Sequence, residues 1–223
     1  MFFKKITESS WIITLTSILF VVIGQMPIIF SWIEIGNPTL YLSSFAFMGM
    51  LVLPLSYIKL VLKKDLKDFG FRLPVISDNK KIIFLLSLLL ILSVVVLSFD
   101  KSFQDYYTSS SVFLIFLWEA VVLSFIYYFS EEFLFRGFLF FGLLERIGLH
   151  SFWVSSSIFA LFHIGKPSLE VFYSFLVGII FCYFSYKTKS FVIPAVVHFL
   201  MALVMNVIIT FVLGVPPAGR FTF

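Results

Sequence analysis

Seven apolar runs divide this chain: Trp11–Ile33, Tyr41–Leu62, Ile82–Phe99, Val112 to about Leu144, Ser151–Ile164, Leu169–Tyr186 and Phe191–Leu213. Crossing the hydrocarbon of a bilayer takes about 20 apolar residues as helix. Inside lipid every backbone N–H and C=O must find a partner within its own segment, so such runs fold as helices. The expected fold is therefore an all-α membrane protein, a polytopic bundle of seven to eight transmembrane helices. The count of eight comes from the fourth run, which as one straight helix would rise about 50 Å. It is expected to be either a tilted helix with an interfacial end or two helices broken near Ser130. Lys4 and Lys5 precede the first run as in a signal peptide, but no small-x-small cleavage site follows, so the run is read as a retained span.

Of the 223 residues, 61% are hydrophobic and 13% charged, which leaves no room for a soluble domain. With seven spans the basic loop residues sort by side. One side receives Lys4, Lys5, Lys63, Lys64, Lys67, Arg72, Lys80, Lys81, Arg146, Lys187 and Lys189, and the other only Lys101, Lys166 and Arg220. The positive-inside rule then places the N-terminus and the 63–81 linker in the cytoplasm, in a multi-pass protein of the cell membrane. A net charge of +4 confined to a few loops suits anionic lipid and argues against a nucleic-acid partner. The single cysteine, Cys182, lies in an apolar span and reads as packing.

Against this background a few ionisable groups stand out. Ser130-Glu131-Glu132-Phe133-Leu134-Phe135-Arg136-Gly137 falls within one apolar run, and His163 and His198 fall within two others. An ionisable group in hydrocarbon costs a few kcal/mol or more, so each is a candidate functional residue. Glu132 and Arg136 are four apart and share a helix face, so Glu132 is expected to pair with the arginine. Glu131 is turned about 100° away and has no sequence-local partner, which makes it the candidate general base. His163 lies one turn after Phe159 and just before Gly165-Lys166-Pro167, which ends the helix. His198 lies well inside its span, one turn after Pro194. Helical rise from the loop ends puts Glu131, His163 and His198 at depths that let them meet, in a cavity reached from the cytoplasmic side or laterally from lipid.

One carboxylate and two imidazoles can hydrolyse a peptide bond without a covalent intermediate. The carboxylate takes a proton from water, one imidazole orients that water, and the other holds the carbonyl oxygen as it becomes an oxyanion. The same three side chains could instead ligate zinc with an open water position. Residue types alone leave both chemistries open.

Glu131-Glu132-x-x-x-Arg136, Phe159-x-x-x-His163 and the later His198 resemble the CAAX protease and bacteriocin-processing family of intramembrane proteases, also called Abi, which includes the Ras-converting enzyme. The resemblance runs from about Val112 to Leu213 and takes in Phe175–Gly178, Lys187–Ser190 and Pro194. It implies an intramembrane endopeptidase of glutamic type, historically classed as a metalloendopeptidase. Its substrate would be a protein or peptide precursor, cut in or near an apolar segment, with membrane lipid as the surrounding partner. The implied catalytic residues are Glu131 as base, His163 on the attacking water and His198 in the oxyanion hole, with Glu132, Arg136, Phe159 and Asn206 in support. No cofactor is expected; if zinc is used, Glu131, His163 and His198 would hold it. Residues 1–223 would form one transmembrane domain, 1–111 as accessory spans with the cytoplasmic linker and 112–213 as catalytic core. The sequence departs from the family where a polar residue usually follows the last histidine by four: position 202 is alanine, and the next amide is Asn206. Losing one oxyanion donor costs about 2.7–4 kcal/mol of transition-state stabilisation.

The competing classes are a proton-coupled transporter and a non-catalytic binding or immunity protein. The chain shows no inverted repeat of the transporter kind. It also lacks His-Glu-x-x-His, Gly-x-Ser-x-Gly and any aspartate within a span, which sets aside the other intramembrane protease classes.

Overall fold

The computed structural model describes residues 10–26, 38–75, 79–107 and 110–215. They form eight helices and no strand: α1 (Ser10–Gly24), α2 (Thr39–Leu62), α3 (Lys80–Leu97), α4 (Lys101–Tyr106), α5 (Phe113–Ile147), α6 (His150–Phe162), α7 (Ser168–Thr188) and α8 (Val192–Val212). Five of these, α2, α3, α5, α7 and α8, are long and apolar enough to cross a membrane. The chain is thus an all-α membrane bundle. Lys4, Lys5, the end of the expected first span beyond residue 26, and Arg220 lie outside the described residues.

The fourth apolar run is one continuous helix of 35 residues, with no break at Ser130. Its turns widen to π-type hydrogen bonding over Leu117–Leu123 and Phe133–Phe141. Every residue from Ser130 to Leu143 is buried, so this half of α5 is the axis around which the bundle packs. On one side it meets Ile13 and Phe20 of α1, Met50 of α2, and Phe69 of the linker, all in one apolar cluster. A second cluster joins α3 and α4 to α7 and α8 through Leu90, Phe103, Phe181 and Met205.

The fifth expected span, Ser151–Ile164, yields only the 13 residues of α6. Gly165, at φ +100°, and Pro167 stop it. Thirteen residues rise only about 20 Å, short of the hydrocarbon thickness, so α6 ends inside the bundle and leaves His163 at its tip. Lipid tails give helices no hydrophobic reason to associate, so close packing and hydrogen bonds must do so. At the α6–α7 contact a Cβ on Gly178 would lie 2.9 Å from the Cβ of Ser156, a separation only glycine allows. Ser155 Oγ donates to the Phe135 carbonyl of α5 at 2.9 Å.

The basic linker gathers at one end. Lys64 Nζ meets Glu145 Oε2 at 2.7 Å, Arg72 Nε donates to the Lys189 carbonyl at 2.9 Å, and Val75 N donates to Thr188 O at 3.0 Å. The α3–α4 turn and the α6–α7 turn lie together at the opposite end, where Lys166 Nζ reaches Tyr107 Oη at 3.2 Å.

Candidate active site

Glu131, Glu132 and Arg136 all lie in the buried half of α5, each 1% exposed or less. The i, i+4 spacing brings Arg136 Nη1 to 3.1 Å from Glu132 Oε1, with Oε2 at the same distance but misaligned for a hydrogen bond. Arg136 Nε and Nη2 have no hydrogen-bond acceptor. Aromatic faces take their place: the guanidinium carbon lies 3.9 Å from the Phe159 ring centre and 5.2 Å from that of Phe181. Glu132 has a second partner that the sequence did not reveal, because His198 comes 66 positions later. His198 Nδ1 lies 2.7 Å from Glu132 Oε1, and a carboxylate so placed fixes the ring's orientation.

Glu131 differs from its neighbour in kind. Both of its oxygens are buried without a hydrogen-bond partner, and His198 Nδ1 lies 3.9 Å from Oε2. His163, 2% exposed, places Nδ1 2.7 Å from the Phe159 carbonyl. A carbonyl only accepts, so Nδ1 carries the proton and Nε2 is left to face other groups. The Phe159 ring meets both imidazoles edge to face, 4.4 Å from the His163 ring and 5.9 Å from that of His198.

His163 and His198 line one cavity of about 60 Å³, together with Tyr128 and Phe159. Its walls come from α3 (Val94, Leu97), α4 and its exit (Phe103, Tyr107), α7 (Glu170, Val177) and α8 (Met201, Ala202, Met205). These segments lie in the half of the bundle away from the basic linker. Ala202 is part of the wall. Asn206 turns back along α8 and donates from Nδ2 to the Ala202 carbonyl at 2.9 Å.

A group at the cavity's end escaped the sequence reading. Glu170 Oε1 accepts from Tyr107 Oη at 2.6 Å and is ion-paired with Lys166 Nζ at 3.2 Å, and His163 Nε2 lies 3.9 Å from the same oxygen. Burial holds the Tyr107 phenol well above its usual range, so it stays a donor. Burial works against the Lys166 charge, but the Glu170 carboxylate and the nearby tyrosines hold the amine well above the usual lysine range. The only sequence signal was the i, i+4 spacing of Lys166 and Glu170 beside a proline, which reads as an ordinary helix start.

Among the described residues no three His, Cys, Asp or Glu side chains are grouped to hold a metal ion. Glu131, His163 and His198, the set named for zinc, do not form such a group.

A buried carboxylate–imidazole cluster thus adjoins a cavity that His163 and His198 line, inside an all-α membrane bundle. Residues 113–204 match the family model described as Rce1-like, type II CAAX prenyl endopeptidase. That segment, which carries Glu131, Glu132, Arg136, Phe159, His163, Glu170 and His198 but not Asn206 or Tyr107, is thus similar to a family of proteases. No curated protein and no solved structure matches the chain.

Proposed function

We propose that the chain is an intramembrane endopeptidase that hydrolyses a peptide bond in or beside an apolar, membrane-embedded segment. The observation that carries this reading is Glu131, a fully buried carboxylate with two unpartnered oxygens beside His198. A carboxylate so desolvated is costly unless it is used. In the proposed reaction Glu131 takes a proton from water, and the oxygen attacks the scissile carbonyl carbon. His163, with Nδ1 committed to Phe159, accepts the water's other hydrogen at Nε2 and so aims it. His198, with Nδ1 held by Glu132, is the group placed to stabilise the oxyanion. Glu131 then returns its proton to the leaving nitrogen as the C–N bond breaks, which balances the step. Glu132, Arg136 and Phe159 position the two imidazoles.

The basic end is read as cytoplasmic, with the N-terminus on that side of the cell membrane. Residues 1–223 are read as one transmembrane domain, with 112–213 as catalytic core. The substrate is a protein or peptide with an apolar segment.

The test is cleavage of the product of the neighbouring gene by the purified chain in liposomes, beside folded Glu131→Gln and with or without chelator. Cleavage by the wild type and none by Glu131→Gln is expected. Equal cleavage by both removes Glu131 as base. Activity lost on chelation and restored by zinc replaces the metal-free route. No cleavage by folded wild type turns the reading to a binding or immunity role.

A further inference from the structure

Resting on the peptidase reading for its substrate class, we propose that the free oxygen of Glu170 is a binding subsite for the substrate's backbone, accepting one peptide N–H of an unwound apolar segment. Glu170 uses one oxygen for structure: Oε1 takes both Tyr107 Oη and Lys166 Nζ. Oε2 is buried with no hydrogen-bond partner, on a residue 8% exposed that lines the same cavity as His163 and His198. A helix-start glutamate that served only to pair Lys166 would be complete with Oε1. The second oxygen is an unmet acceptor, and such an acceptor in a buried site favours any ligand that brings a donor.

The substrate chemistry supplies that donor. A helix must unwind before its scissile carbonyl can be reached, and each unwound residue then exposes an N–H that lipid cannot satisfy. The surrounding wall is apolar, built by Val94, Leu97, Val177, Met201 and Met205. Glu170 thus pairs one peptide N–H while those side chains take the neighbouring apolar residues. Tyr107 and Lys166 hold the carboxylate in place, and His163 Nε2, 3.9 Å from Oε1, puts the subsite next to the proposed water site. Proline, which has no N–H, is excluded at the bound position.

The experiment measures binding, so that it does not depend on turnover. A dansyl-labelled peptide of leucine and alanine with charged ends is titrated into the full chain carrying Glu131→Gln in nanodiscs. A set of analogues follows, each with one amide N–H replaced by an ester oxygen. One ester position is expected to weaken Kd by roughly 10-fold or more, and adding Glu170→Leu is expected to abolish that difference. Should Glu170→Leu not fold, Glu170→Met, which likewise lacks an accepting oxygen, is measured in its place with the same expectation, and Glu170→Gln, which keeps one, is expected to retain the ester penalty. No saturable binding overturns the subsite. So do esters that all bind like the amide, and a penalty that survives Glu170→Leu; the last two mean that Oε2 meets only buried water. Cleavage by the chain with intact Glu131 is followed in parallel. An ester penalty without cleavage removes the peptidase reading alone, and cleavage without an ester penalty removes the subsite alone.

Discussion

The Arg136 guanidinium carbon lies 3.9 Å from the centre of the Phe159 ring. With two of its nitrogens lacking acceptors, the arginine depends on that face for stabilisation. A desolvated cation–π contact is worth about 2 kcal/mol. Phe159→Leu, which stays apolar, is therefore expected to lower thermal stability in detergent clearly more than Phe181→Leu, whose ring is 5.2 Å away. Equal losses would show that the Phe159 face does no more than fill space.

Glu132 and Arg136 form a buried pair, and removing one member strands the other. Glu132→Gln or Arg136→Met alone is expected to cost on the order of 3–5 kcal/mol. The double variant should cost less than the sum of the two. Unfolding of all three measured under one denaturant series checks this, and strict additivity would mean that the two side chains are not coupled.

Ala202 stands in the cavity wall, one helical turn after His198. Ala202→Asn is expected to add an oxyanion donor and raise the cleavage rate, up to the roughly 10²–10³-fold that one such donor is worth. A slower enzyme of unchanged stability would mean that the substrate itself occupies this part of the wall.

Lys64 and Lys101 lie at opposite ends of the bundle, one bound to Glu145 and the other at the start of α4. In a Cys182→Ser background, single cysteines at these two positions should be labelled from opposite sides of a sealed vesicle. The Lys64 site is expected on the cytoplasmic side. Labelling of both from one side would overturn the topology.

What was legible in the sequence was local. The Glu132–Arg136 pair and the isolation of Glu131 follow from helical spacing within six residues. The apolar runs followed from length alone, though length did not reveal that residues 113–147 form one helix or that α6 stops short. The His198–Glu132 bond and the Tyr107–Glu170 bond join residues 66 and 63 positions apart, and no periodicity encodes such pairs. Glu170 was also disguised by its place at a helix start, where glutamate is common for reasons of the helix dipole.

Tyr107, Phe103, Leu97 and Val94 lie outside the segment matched to the protease family, yet they build one wall of the cavity. The groups proposed to react lie inside the matched stretch, while part of the cavity wall comes from outside it. A hybrid that kept 113–204 and took residues 80–107 from a different relative would keep its reacting groups while presenting them to a different guest.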